Sequence, residues 1–269
     1  MVRCARLLIC LLVPMSAHAE APAPPEQFRI TDNSFLVEEA FNQERGVFQN
    51  IFGALRVRGE WAASFTQEWP LGTQAHQFSY TVSWLKAPRH NGAGDALINY
   101  RYQAMMEGPG RPAFSPRVSL VVPTGDSHDG LGNGSAGLQF NLPFSKQTGD
   151  WYWHGNGGMT WLPRAQSGDS PRETLVSPFV AGSAIYRLRP MVNLMLESLV
   201  SFDETIAETG PSRERAITLS PGIRGGWDVG EKQIVVGFAV PTMWRGSDAI
   251  TGAFMYFSYE LPFTRSPEP

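Results

Sequence analysis

The sequence predicts an all-β protein, a transmembrane antiparallel up-and-down β-barrel of about 12 strands. Three observations carry that expectation. Apolar and polar residues alternate with a period of two along most of the chain. The alternating segments run to 10–13 residues, as in 94–105, 190–203 and 250–263, close to the roughly 9–11 residues a tilted strand needs to cross a bilayer. The 8 tryptophans fall near the ends of those segments, where aromatic girdles meet the two membrane–water interfaces.

The first element is an export signal. Arg3 and Arg6 precede an apolar run from Leu7 to Pro14, followed by the small-residue site Ala17-His18-Ala19. That order describes a signal peptide over residues 1–19, cleaved after Ala19, and the apolar run is too short for a membrane-spanning helix. Cys4 and Cys10 both lie in it, so the mature chain is expected to lack disulfides and thiolate metal sites. Beyond residue 19 there remain 20 basic and 25 acidic residues, a net charge of −5, which does not suggest a nucleic-acid partner. Residues 20–33 are rich in proline and read as a disordered periplasmic leader.

The barrel is expected over 34–263, with a short tail at 264–269. Eleven strands are expected at about 59–69, 75–85, 94–105, 113–123, 134–144, 150–162, 175–187, 190–203, 214–227, 231–243 and 251–263. A twelfth lies within 34–56, where Phe35–Gln43 and Val47–Leu55 are both strand-like, or one is an internal segment. The alternation is clearest at Ile217, Leu219, Pro221, Ile223 and Trp227 against Thr218, Ser220, Gly222, Arg224 and Gly226. No run of 18 apolar residues occurs. A spanning chain must then be a closed barrel, apolar outward and polar inward. Longer connections at 86–93, 124–133, 163–174, 204–213 and 244–250 alternate with shorter ones. With an even strand count, this places both termini in the periplasm.

Site candidates follow from this inversion. Glu68, Arg101, Arg117, Glu197, Arg224 and Glu260 lie on the polar faces. A charge facing lipid at mid-depth costs roughly 2–4 kcal/mol, so these six are expected to line the lumen, as bracing ion pairs or as a selectivity lining. Trp61, Trp69, Trp84, Trp151, Trp153, Trp161, Trp227 and Trp244 are expected to form the interface girdle. The histidines have no metal-ligand spacing, and Gly125–Gly134 lacks the acid spacing of a calcium loop, so no cofactor or metal is expected. His154 has no serine two residues on, and no local motif pairs a serine with a histidine. An outer-membrane hydrolase is therefore the weaker alternative, beside a structural barrel without transport. The chain is expected not to be an enzyme.

Several stretches resemble a known family of Gram-negative outer-membrane proteins, the MetA-pathway of phenol degradation family of transporters. They are Glu38-Glu-Ala-Phe-Asn-Gln-Glu44, Phe65-Thr-Gln-Glu-Trp-Pro-Leu71, His76-Gln-Phe-Ser-Tyr80, Gly94-Asp95 leading into Asn99-Tyr-Arg-Tyr102, and Val121-Val-Pro-Thr-Gly-Asp126. The resemblance implies a porin-like channel for small, aromatic or apolar solutes. Met255, Phe257, Tyr259, Leu261 and Phe263 alternate to a terminal aromatic, similar to the signal that the barrel-assembly machinery reads, although six residues follow it. Outer-membrane lipid, that machinery and a small solute are the expected partners.

Overall fold

The computed structural model describes residue 30 and residues 32–263, apart from 88, 208, 209 and 231. The expected signal peptide, most of the leader and the tail lie outside the described residues. The described chain is a closed 12-stranded antiparallel barrel without helices. Its strands are β1 (Val47–Val57), β2 (Glu60–Leu71), β3 (Thr73–Lys86), β4 (Asn91–Ala93 and Ala96–Tyr102), β5 (Ala113–Phe114 and Arg117–Val122) and β6 (Gly137–Asn141 and Phe144–Thr148). They continue as β7 (Trp151–Ala165), β8 (Glu173–Arg189), β9 (Val192–Ala207), β10 (Gly210–Val229), β11 (Lys232–Ala239 and Thr242–Arg245) and β12 (Asp248–Pro262). Each strand pairs with its sequence neighbours. β12 closes on β1 from Val47↔Pro262 to Val57↔Gly252, which leaves no open edge. Three interruptions fall at Pro116, Pro143 and Pro241, because proline has no N–H for the ladder.

The two faces are inverted relative to a water-soluble sheet. On β10, Ala216, Thr218, Ser220 and Arg224 are buried while Ile217, Leu219 and Ile223 are exposed. On β9, Asn193 and Glu197 are buried while Leu194 and Leu196 are exposed. Among the described residues, exposed Val, Leu, Ile, Phe and Trp side chains cover the outer wall. That surface is stable against hydrocarbon and not against water.

Two expectations need correction. The alternation of long and short connections is weaker than expected. The segment 204–213 is mostly strand, because β9 and β10 pair within it from Glu204↔Arg213 to Ala207↔Gly210. The β1–β2 connection is only Arg58-Gly59, both with positive φ (49° and 89°), as a two-residue hairpin turn that follows strand twist requires. At the opposite end, residues 103–112 form a longer connection. The second concerns the leader, whereas within 34–56 the internal-segment alternative is the one observed. Of the two strand-like stretches near the start, only Val47–Val57 enters the sheet. The segment from Ile30 to Gln43 lies inside the barrel instead, with Ile30, Asp32, Ser34, Val37 and Ala40 all buried. The part of the expected leader that is described therefore belongs to the barrel interior.

Candidate functional site

The internal segment has no ladder of its own, so its backbone donors and acceptors need partners elsewhere. The wall supplies them from its polar face. Glu197 Oε1 accepts from Leu36 N (2.8 Å) and Val37 N (3.1 Å). Asn156 Oδ1 accepts from Glu38 N (2.8 Å), and Ser145 Oγ from Ala40 N (2.8 Å). Gln103 Oε1 accepts from Asn42 N (2.9 Å), and Gln77 Oε1 from Gln43 N (2.7 Å). In the other direction, Arg224 donates to the carbonyls of Asp32 (2.7 Å) and Asn33 (2.8 Å). Arg101 donates to those of Glu39 (3.2 Å) and Phe41, and Gln103 to that of Ala40 (2.8 Å). The plug thus runs round the inner wall from β10 and β12, past β9, β7 and β6, to β4 and β3, before entering β1.

Its ends are anchored more firmly still. The Asp32 carboxylate accepts from Tyr256 OH (2.7 Å), Gln49 Nε2 (2.8 Å) and Ser258 Oγ. Phe35 lies against the wall at Gly237, where a Cβ would overlap its ring. Glu38 meets Arg117 in a bidentate pair (2.6 and 3.0 Å), the planar geometry that favours arginine over lysine. Two plug carboxyls titrate in opposite senses. Burial, then the nearby Asp32 charge, push Glu39 up to about 8. Against its burial, Arg117 and Arg101 hold Glu38 below the usual carboxylate range.

Most of the predicted lumenal residues face inward and meet the plug. Arg101, Glu197 and Arg224 are buried beneath it, and Arg117 holds Glu38. Glu68 lies 3.7 Å from Arg101. Glu260 is half-buried near the C-terminal end of β12, opposite Gln49. Most of these charges clasp the internal segment, rather than pairing with one another across an empty lumen. The tryptophans separate into two sets. Trp61, Trp84, Trp161 and Trp244 lie toward the end of the barrel that carries loop 123–136, and Trp69, Trp151, Trp153 and Trp227 toward the other. Seven of the eight are exposed on the outer wall.

Three features were not anticipated from the sequence. One is the extent of the plug, of which the sequence offered only an internal segment as one alternative within 34–56. Another is a Ser145 Oγ···His154 Nδ1 contact of 2.7 Å across the β6–β7 hairpin. A hydrolase would expose its serine and orient the histidine with a third group. Here Ser145 is buried and already accepts from Ala40 N, and His154 Nε2 has no partner. The pair therefore serves as a plug anchor. The third is a cavity of about 250 Å³ above the plug. Phe35, Leu36, Ile51 and Phe254 form one side, and Ser64, Thr66, Thr81 and Asn99 the other.

Among solved structures, the chain is similar to an outer-membrane channel of Pseudomonas putida F1. The TM-score is 0.65 at 12% identity, over 82% of this chain and 97% of that one. The NanC porin gives a TM-score of 0.49 at 9% identity, over 79% and 98% of the two chains. An outer-membrane protein of Vibrio cholerae gives 0.39 at 10% identity, over 80% and 98%. No family model matches the chain, and no curated protein matches it in sequence. The likeness is therefore one of fold, an outer-membrane barrel, one level coarser than the phenol-degradation family.

Proposed function

We propose that this chain is a bacterial outer-membrane channel for small, uncharged, apolar or aromatic solutes, related to the phenol-degradation transporters. The observation that carries the reading is the cavity. An apolar cavity of about 150 Å³ takes benzene, so one of about 250 Å³ has room for a single substituted ring. Its lining offers an apolar side for the ring and hydroxyl and amide groups for one polar substituent. The charges that border it are already engaged, Arg117 with Glu38 (2.6 Å) and Glu68 with Arg101 (3.7 Å), which leaves no free charge to bind an ion. In proteoliposomes the protein should admit benzyl alcohol faster than benzoate or a disaccharide. Equal rates for all three would sink the assignment.

In this reading both termini lie in the periplasm, and the two tryptophan sets mark the membrane interfaces. Asp129 and Ser167 lie in the connections at one end of the barrel, and Asp228 near the other. Cysteines placed singly at Asp129 and Ser167 should label from outside intact cells, and one at Asp228 should not. The opposite pattern would invert the topology.

A further inference from the structure

The connection 123–136 turns inward at its end of the lumen and is built to hold that position. The Asp95 carboxylate, where β4 breaks, accepts from three donors of this loop: Gly125 N (3.0 Å), Asn133 N (2.8 Å) and Asn133 Nδ2 (3.0 Å). Thr124 Oγ1 donates to Gly94 O (2.8 Å). The loop crosses itself at Gly125 and Gly132, where a Cβ on Gly125 would overlap the Leu131 carbonyl and the Gly132 backbone. The crossing projects Leu131, only 7% exposed, to the lumenal side of the wall. A Cβ on Gly92 would touch its Cδ1 at 3.1 Å, and one on Gly94 its carbonyl oxygen at 3.3 Å. Gly92 pairs with Leu85, which lies on the same inward face as Ser83, Thr81 and Ser79. Two of those, Thr81 and Ser79, line the cavity. Leu131 therefore sits on the lumenal side of β3 and β4, beyond Thr81 and toward this end of the barrel, and Asp95 accepts more of its loop's hydrogen bonds than any other side chain.

We infer that Asp95 and Leu131 form the size-selecting entrance of the lumen, Leu131 as the obstruction and Asp95 as the residue that positions it. The inference rests on the reading of the lumen as a solute path. Hydrogen bonds to a charged group are the strong kind. Three on one carboxylate are the strongest of the bonds that hold the loop, and losing them loosens it without touching the cavity lining. A solute wider than the gap beside Leu131 is excluded, however well it would suit the cavity below.

The test uses Ser64→Cys as a reporter, since Ser64 lines the cavity and no other cysteine follows residue 10. The refolded barrel is treated with a small methanethiosulfonate and with a bulky fluorescein maleimide. The small reagent should react readily and the bulky one slowly. Asp95→Ala and Leu131→Ala should each raise the bulky-reagent rate by about tenfold and leave the small-reagent rate nearly unchanged. An unchanged bulky rate in Leu131→Ala, with the barrel shown folded by its heat-dependent gel shift, overturns the inference, and this holds even if Asp95→Ala fails to fold. Benzyl alcohol flux through the same variants separates the two readings. Faster labelling without any flux leaves the entrance standing and sinks the channel.

Discussion

Deleting residues 30–43 is expected to raise the single-channel conductance of the refolded barrel by on the order of tenfold. The segment fills the half of the lumen away from the 123–136 connection, and side-chain hydrogen bonds, not a β-ladder, fasten it there. The barrel does not need it to close, because β1 begins at Val47 and pairs with β12 and β2 along its whole length. A milder change points the same way. Arg224 donates to two plug carbonyls at 2.7 and 2.8 Å, and bonds to a charged group contribute roughly 1.5–3 kcal/mol each. Arg224→Ala should thus raise the open population by at least about tenfold, seen as longer open dwell times in planar bilayers. If both variants conduct like the parent, the segment is not what limits passage, and the constriction lies at the outer mouth.

The sequence made the wall legible and left the plug as one of two alternatives, for a physical reason. A strand in a membrane barrel writes its environment into every second residue, so Ile217 to Trp227 and Met255 to Phe263 announce their faces. Closure also follows, since neither lipid nor lumen tolerates an open edge. Arg101, Arg117, Glu197 and Arg224 were legible as lumenal for the same reason. Their partners were not. The plug has no period, because its backbone bonds run to side chains as distant as the 161 positions between Leu36 and Glu197 or the 192 between Asp32 and Arg224. A local reading of 34–46 finds apolar residues that fit a strand and leaves a strand and an internal segment undecided. The usable signal was the excess of long polar side chains on the inner face, such as Gln77, Gln103 and Asn156. A lumen braced only by ion pairs has no need of so many amides, whereas an irregular guest segment uses both ends of Gln103 and Asn156. The hairpin at 204–213 was misread for the opposite reason. Its strands continue beyond the apolar band, so their composition becomes that of a loop while their pairing does not.

Reversing the polarity of one lipid-facing position tests the inverted architecture itself. Val180 is the clearest choice. It is 56% exposed on the outer wall of β8 and pairs with Gly157 of β7, midway between Trp153 and Trp161. If those tryptophans mark the two interfaces, Val180 lies near the bilayer midplane. Val180→Arg should then destabilise the folded barrel by about 2–4 kcal/mol, the cost of an arginine facing hydrocarbon at that depth. Urea unfolding in lipid vesicles, with folded and unfolded forms resolved on a gel, measures it directly. Ser64→Lys serves as the comparison. Its side chain enters the cavity on the same face as Glu68, where water and a carboxylate are at hand, so its cost should stay below about 1 kcal/mol. In a water-soluble barrel the difference disappears, because an arginine at position 180 would be solvated and position 64 already faces open space. Equal costs at the two positions, or a larger one at Ser64, would refute the membrane assignment. A large cost at Val180 alone fixes which face meets the lipid.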